Sequence, residues 1–215
     1  SPGPDQAADP NESPAGEPLP ATIGRYHILR KIGEGGMGVV YEARQESPSR
    51  TVALKVIRPG IASRGVLRRF EQEAHVLGQL HHPGIAHIYE AGSASVAAPG
   101  GLNVQQPFFA MEFVRGEPLP VYADRLRLGT RERMELVARV CDAVEHAHQH
   151  GVIHRDLKPD NLFLVADPEV RSGVRVKVLD FGLAKMVDAT DAGLTRSGAM
   201  MGTPDYLSPE QCLST

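Results

Sequence analysis

The stretch His154-Arg155-Asp156-Leu157-Lys158-Pro159-Asp160-Asn161 places acid, base and amide groups in one loop between a helix-like segment and a strand-like one. The Asp156 carboxylate can accept a proton from an attacking hydroxyl. Lys158 can neutralise charge on a phosphoryl group in transfer, and the side-chain carbonyl of Asn161 suits a hard cation such as Mg2+. A solvated loop holds some of these residue types by chance. The full ordered octet is a complete motif and predicts a loop that carries chemistry.

Upstream of this loop, Thr130 can cap a helix running to about residue 150. Met134, Val137, Cys141, Val144 and His148 recur there at steps of three and four, which predicts that they form its inward face. Gly151 supplies the stop. Downstream, 161–165 and 174–179 read as short strands around a polar loop at 166–173. Asp180-Phe181-Gly182 closes the second strand, with Asp180 placed to ligate a metal and Phe181 to pack inward. Alone this tripeptide is an ordinary strand end; its place after the loop gives it weight.

The first half has another texture. Runs rich in Val, Ile, Tyr and Phe at 26–32, 39–43, 51–57, 85–91 and 108–113 predict strands, and 93–107 reads as a surface loop. One helical pattern, 64–80, carries Val66, Phe70, Leu77 and Leu80 at helix spacing. Ile32-Gly33-Glu34-Gly35-Gly36-Met37-Gly38-Val39-Val40 is a glycine-rich run whose backbone can approach phosphate oxygens. Such a run is also compatible with a plain flexible turn or a dinucleotide-binding unit. The latter needs a helix directly after the glycines, whereas 39–43 is strand-like, so the expectation is a hairpin lid. In Val52-Ala53-Leu54-Lys55-Val56-Ile57, Lys55 either snorkels at an edge or is paired inside. Glu73 falls on the apolar face of the 64–80 helix and is its expected partner.

The totals set outer bounds. The chain has 215 residues, 41% hydrophobic and 23% charged, enough for a large domain with a real core. A net charge of -3 offers no broad phosphate-neutralising field, so nucleic acid is not an expected partner. Cys141 and Cys212 are the only cysteines, which points to a reducing compartment rather than a disulfide framework. No run reaches bilayer-spanning length and no signal-peptide pattern opens the chain. Residues 1–21 are rich in Pro, Gly, Ala and acids, and are expected to be a disordered leader or linker. The start at Ser1 and the stop at Thr215 read as cuts in a longer protein.

Taken in order, these motifs resemble the eukaryotic-type protein kinase family, over residues 26 to 213 or so, with Gly36-Met37-Gly38 and 202–210 most similar to bacterial members. The resemblance implies an α+β, bilobal fold: a β-rich N-lobe at about 26–113, a hinge at 112–116, and the first part of a helical C-lobe at 117–215. It implies ATP as substrate, with Mg2+ or Mn2+, and protein Ser/Thr hydroxyls as acceptors. Asp156 fits the catalytic base, Lys55 and Glu73 the strand-lysine and helix-glutamate pair, and Asn161 and Asp180 the metal ligands. Ile32, Gly33, Glu34, Gly35, Gly36, Met37, Gly38, Val39 and Val40 fit the loop over the phosphates. Ala53, Met111 and Phe163 would line an adenine slot, with Glu112 to Val114 as its hinge edge. His154, Phe181, Leu77 and Ile88 fit a stack of side chains that assembles in the active state.

Lys158 and the segment Gly202-Thr203-Pro204-Asp205-Tyr206-Leu207-Ser208-Pro209-Glu210 look like those of Ser/Thr rather than Tyr kinases. Ser208 departs from the usual Ala. Arg155 fits a residue that binds a phosphorylated activation loop, for which Thr190, Thr195 and Ser197 are acceptors, with Thr195 and Ser197 preferred as autophosphorylation sites in trans. Plain solvated hydroxyls are the alternative for all three. The rivals to an active protein kinase are a pseudokinase, which would lack one of the catalytic residues found here, and a small-molecule kinase, which would lack the docking segment. The resemblance further implies a cytoplasmic catalytic domain, and it allows a sensor or membrane anchor beyond Thr215.

Overall fold

The computed structural model describes residues 19–35, 38–58, 77–97, 103–181 and 204–213. Strand-forming residues govern the first half: β1 (Thr22–Ile23), β2 (Tyr26–Gly35), β3 (Gly38–Gln45), β4 (Arg50–Ile57), β5 (Ile88–Ala97) and β6 (Asn103–Glu112). They pair antiparallel in one sheet, in the order β1-β2-β3-β4-β6-β5. β4 is buried on both faces because its apolar run does not alternate with polar residues. Val52, Leu54 and Val56 join Ile23, Tyr26, Ala43, Phe108 and Ala110 in one cluster. Ala53 and Ile57, on the opposite face, join Phe109 and Met111 in a second cluster that continues into the other lobe. Burying each of the Val, Leu and Ile side chains among these stabilises the fold by roughly 1.5–3 kcal/mol. Lys55 shares the face of Ala53, opposite Phe109 of β6.

The second half comprises β7 (Glu117–Pro118), α1 (Leu119–Arg125), α2 (Thr130–Gln149), a 3-10 turn (Pro159–Asn161), β8 (Leu162–Ala166) and β9 (Val174–Val178). A second 3-10 turn (Pro204–Tyr206) leads into α3 (Pro209–Leu213). β7, β8 and β9 form a small sheet in that order. The two halves are fastened behind residues 112–116. Ile85 bridges Val178, with Ala86 N–H donating to the Val178 carbonyl at 2.9 Å and Val178 N–H to that of Gly84 at 2.8 Å. Lys177 Nζ lies 2.7 Å from the Glu112 carboxylate and 3.3 Å from the Ile85 carbonyl.

Several expectations are corrected. Residues 93–97 and 103–107 are strand rather than loop: β5 runs to Ala97 and β6 starts at Asn103, because polar Ser and Gln residues continue a ladder that backbone hydrogen bonds sustain. The strand expected at 85–91 begins at Ile88, Ile85 being held instead by the other lobe. Thr130 is the first helical residue of α2 and Gly129 is its cap, with the Gly129 N–H donating to Glu132 Oε2 at 2.8 Å. The inward face of α2 is Leu136, Val140, Ala143 and Ala147, whereas Met134 is 67% and Val137 54% exposed, and Cys141 is exposed. Two stripes at helical spacing run along this helix. Spacing alone does not say which one the β8–β9 side covers. Gly151, at φ 73°, ends the helix as expected.

Candidate active site

The cleft between the two halves collects most of the residues singled out above. On its upper side, β2 and β3 form a hairpin in which Glu34 faces Val39 and Gly35 faces Gly38. A Cβ on Gly38 would sit 2.0 Å from the Val56 carbonyl oxygen, so β3 can lie against β4 only with glycine there. A Cβ on Gly35 would meet nothing within 4 Å. Among the described residues no packing demand explains glycine at Gly35. Glu34 is held by Lys31 and, at 2.7 Å, by Arg58, and Lys31 foremost keeps its carboxyl below the usual carboxylate range. Val40, Ala53 and Met111 pack together in the cluster below this hairpin. Ile32 is exposed, and Val39, Glu112, Val114 and Phe163 are partly covered. Gly36, Met37 and Glu73 lie outside the described residues.

Lys55 is buried, which rules out the snorkelling alternative, and its Nζ lies 2.6 Å from Asp180 Oδ2. On the lower side, Lys158 Nζ lies 3.0 Å from Asp156 Oδ2. Asn161 Nδ2 donates to the Asp156 carbonyl at 2.7 Å and lies 3.4 Å from Asp156 Oδ2. The Leu179 N–H donates to the Asn161 carbonyl at 2.8 Å, which ties this loop to the strand end that presents Asp180. Asp156, Lys158, Asn161, Asp180 and Lys55 are therefore gathered in one cleft.

His154 fixes the loop from beneath. Its Nε2–H donates to the Leu179 carbonyl at 2.8 Å, while Nδ1 accepts the Asp156 N–H at 3.3 Å. That pattern requires a neutral ring protonated on Nε2, and burial pushes its pKa down, in the same direction. The ring packs on Phe181 at 4.6 Å between centroids. Phe181, Leu77 and Ile88 are buried in one cluster, so three of the four side chains expected in the stack share a core and the fourth, His154, packs on Phe181. Arg155 and Asp180 both adopt positive φ, 65° and 59°. Such conformations cost about 1–3 kcal/mol each in non-glycine residues and cluster at functional sites.

Two contacts were not anticipated. One is the Lys177–Glu112 pair behind the hinge; the other is Gln211, whose Nε2 donates to the Arg155 carbonyl at 2.7 Å. The sequence carried a signal for the local orientation of Gln211, though not for its contact with Arg155, since Ser208-Pro209-Glu210-Gln211 has the spacing of a capping box. Thr190, Thr195, Ser197, Gly202 and Thr203 lie outside the described residues.

The donors at hand among the described residues suit a hard cation such as Mg2+ as part of a set that other ligands complete. Among the described residues no group of three or more His, Cys, Asp or Glu could hold a metal by itself. Asp180 offers a carboxylate, and Asn161, with Nδ2 committed to Asp156, offers Oδ1. A small protein donor set completed by phosphate oxygens and water is how Mg2+ is commonly held.

The chain belongs to the protein kinase family, whose domain model matches residues 26–214. Among its relatives, the serine/threonine-protein kinase pkn3 of Myxococcus xanthus is 41% identical over 191 residues, covering 87% of this chain and 33% of that protein. PknA of Mycobacterium tuberculosis is 38% identical over 192 residues, covering 88% of this chain and 42% of that protein. The probable serine/threonine-protein kinase PknB of Bifidobacterium longum is 37% identical over 190 residues, covering 87% and 27% respectively. The crystal structure of the Mycobacterium tuberculosis PknI kinase domain matches with a TM-score of 0.58 at 32% identity, over 75% of this chain and 61% of that one. The expected fold and the likeness to bacterial members are thus borne out. This chain spans less than half the length of these curated relatives. Among the described residues, no helix is long and apolar enough to cross a membrane.

Proposed function

We propose that this protein transfers the γ-phosphoryl group of ATP to Ser and Thr hydroxyls of proteins. The observation that carries this is the meeting of Lys55–Asp180 and Lys158–Asp156–Asn161 in one cleft. The substrate hydroxyl oxygen attacks Pγ, the bond from Pγ to the β–γ bridging oxygen breaks, and ADP leaves. The hydroxyl proton passes to the Asp156 carboxylate. Lys158 stands beside that carboxylate and offsets negative charge on the group in transfer. Lys55 reaches the nucleotide phosphates from β4, with Glu73 as its second partner. Gly33 to Val40 cover the phosphates. Ile32, Val40, Ala53, Met111 and Phe163 hold the adenine, with Glu112 to Val114 along its edge. Asn161 and Asp180 would hold Mg2+, which when bound supplies electrostatic stabilisation of the phosphate oxygens.

Residues 26–113 form the N-lobe in this account, 112–116 the hinge, and 117–215 the part of the C-lobe present; 1–21 precede the domain. Thr195 and Ser197 are the acceptors for regulatory phosphorylation in trans. The test is to incubate the full-length protein with γ-labelled ATP, Mg2+ and peptides differing only in Ser, Thr or Tyr as acceptor. Label on Ser and Thr peptides, and at Thr195 or Ser197, is expected. Label confined to Tyr, or none on any protein, contradicts the proposal.

A further inference from the structure

The peptide unit joining Arg155 to Asp156 is held at both ends. Its N–H donates to His154 Nδ1 at 3.3 Å, and its carbonyl oxygen accepts from Gln211 Nε2 at 2.7 Å. The next carbonyl, that of Asp156, accepts from Asn161 Nδ2 at 2.7 Å. Two of these anchors lie within the loop, whereas Gln211 is 56 residues further along the chain. Arg155 stands at φ 65°, where a non-glycine residue persists only if its surroundings over-determine it. A peptide released at its carbonyl relaxes by turning about its flanking dihedrals, and that turn carries the Asp156 side chain with it.

Gln211 is itself held. Ser208 N–H donates to Gln211 Oε1 at 3.1 Å and Gln211 N–H lies 3.4 Å from Ser208 Oγ, a reciprocal capping box with Pro209 as the first helical residue. With Oε1 engaged by Ser208, the amide is oriented and its Nε2–H group is aimed at Arg155. The position calls for one acceptor and one donor in a single planar group. Glutamate would close the box but could not donate.

We infer that Gln211 is a positioning residue for phosphoryl transfer, clamping the Arg155–Asp156 peptide so that the placement of 204–213 sets the aim of the Asp156 carboxylate. The inference rests on the reading of Asp156 as the base, and the test separates the two. In the full-length protein, Gln211→Glu preserves the acceptor facing Ser208 and sets a carboxylate against the Arg155 carbonyl. The expected result is a kcat lower by about 10- to 100-fold, with KM for ATP within about twofold. Hydrogen exchange at the Asp156 amide is expected to quicken at least about 10-fold. Ser208→Ala, which leaves the Nε2 donor in place, should keep that exchange within about threefold of wild type. Unchanged Asp156 exchange in Gln211→Glu overturns the inference, whatever the activity. Faster exchange with unchanged kcat overturns its link to catalysis. Equal acceleration in both variants overturns it too, since that is loosening of α3 as a whole. A wild type that transfers no phosphate while its exchange responds as expected overturns Asp156 as base and leaves the clamp standing.

Discussion

Lys55 of β4 and Asp180, two residues past β9, form an ion pair across the cleft, 2.6 Å from Nζ to Oδ2, with Lys55 buried and Asp180 about a quarter exposed. The pair links the two halves of the domain at the point where a nucleotide would enter. Its Coulomb gain is set against the desolvation of both groups, so such pairs contribute little net stability. Lys55→Met keeps the apolar stem but leaves the Asp180 carboxylate, about a quarter exposed, without this partner, and is expected to lower the unfolding free energy by about 1–3 kcal/mol. Phosphoryl transfer should fall about 100-fold or more in the same variant, because a charge aimed at the phosphates is lost. Denaturant unfolding and initial-rate measurements on the same preparation check this. Activity lost only in proportion to the fraction of protein unfolded would assign Lys55 a structural role instead.

The glycine hairpin gives a paired prediction. Gly38→Ala forces a methyl group against the Val56 carbonyl and should destabilise the protein by about 1–3 kcal/mol. Gly35→Ala points its methyl into open space and should leave stability within about 0.5 kcal/mol. Its effect should appear in ATP titrations, as a KM several-fold higher. Thermal melts and nucleotide titrations of both variants separate a glycine needed for packing from one needed for ligand approach.

His154 makes stability depend on pH. Its folded pKa lies below the ordinary histidine value near 6.5 because burial disfavours the charged ring. The unfolded chain therefore binds more protons over the interval between the folded and unfolded pKa values, and stability rises with pH there. The contribution is complete above about pH 6.5 and is lost as pH falls through the folded pKa. Burial likewise lowers the pKa of His82 and His87, which add to the same slope. The melting temperature should fall as pH drops from 6.5 to 5. His154→Phe should be less stable at pH 7.5, by about 1–3 kcal/mol for the Leu179 carbonyl left unpaired, but with a shallower acid slope.

How far the sequence could be read follows from what each signal physically encodes. Strands 26–32, 39–43 and 51–57 were legible because β-branched and aromatic runs between turn residues leave few alternatives, and β2 to β4 follow them closely. Asp156, Lys158, Asn161 and Asp180 were legible because an ordered motif fixes chemistry within a few residues. Long-range choices were not legible. Nothing local to α2 says that Leu136 and Val140 rather than Met134 and Val137 meet the rest of the domain. β5 and β6 continue through Ser and Gln residues because each supplies the other's backbone partners, a property of the pair and not of either run. The Gln211–Arg155 contact depends on how distant segments dock, although the capping box that orients Gln211 is written locally.

The most direct test of the central claim is Asp156→Ala in the full-length protein, with phosphoryl transfer and ATP affinity measured side by side. Asp156 accepts the hydroxyl proton in this account and is not itself among the groups assigned to the nucleotide. Turnover is expected to fall by about 10²- to 10⁴-fold, with the Kd for ATP within about threefold of wild type. Turnover that stays unchanged would contradict the account.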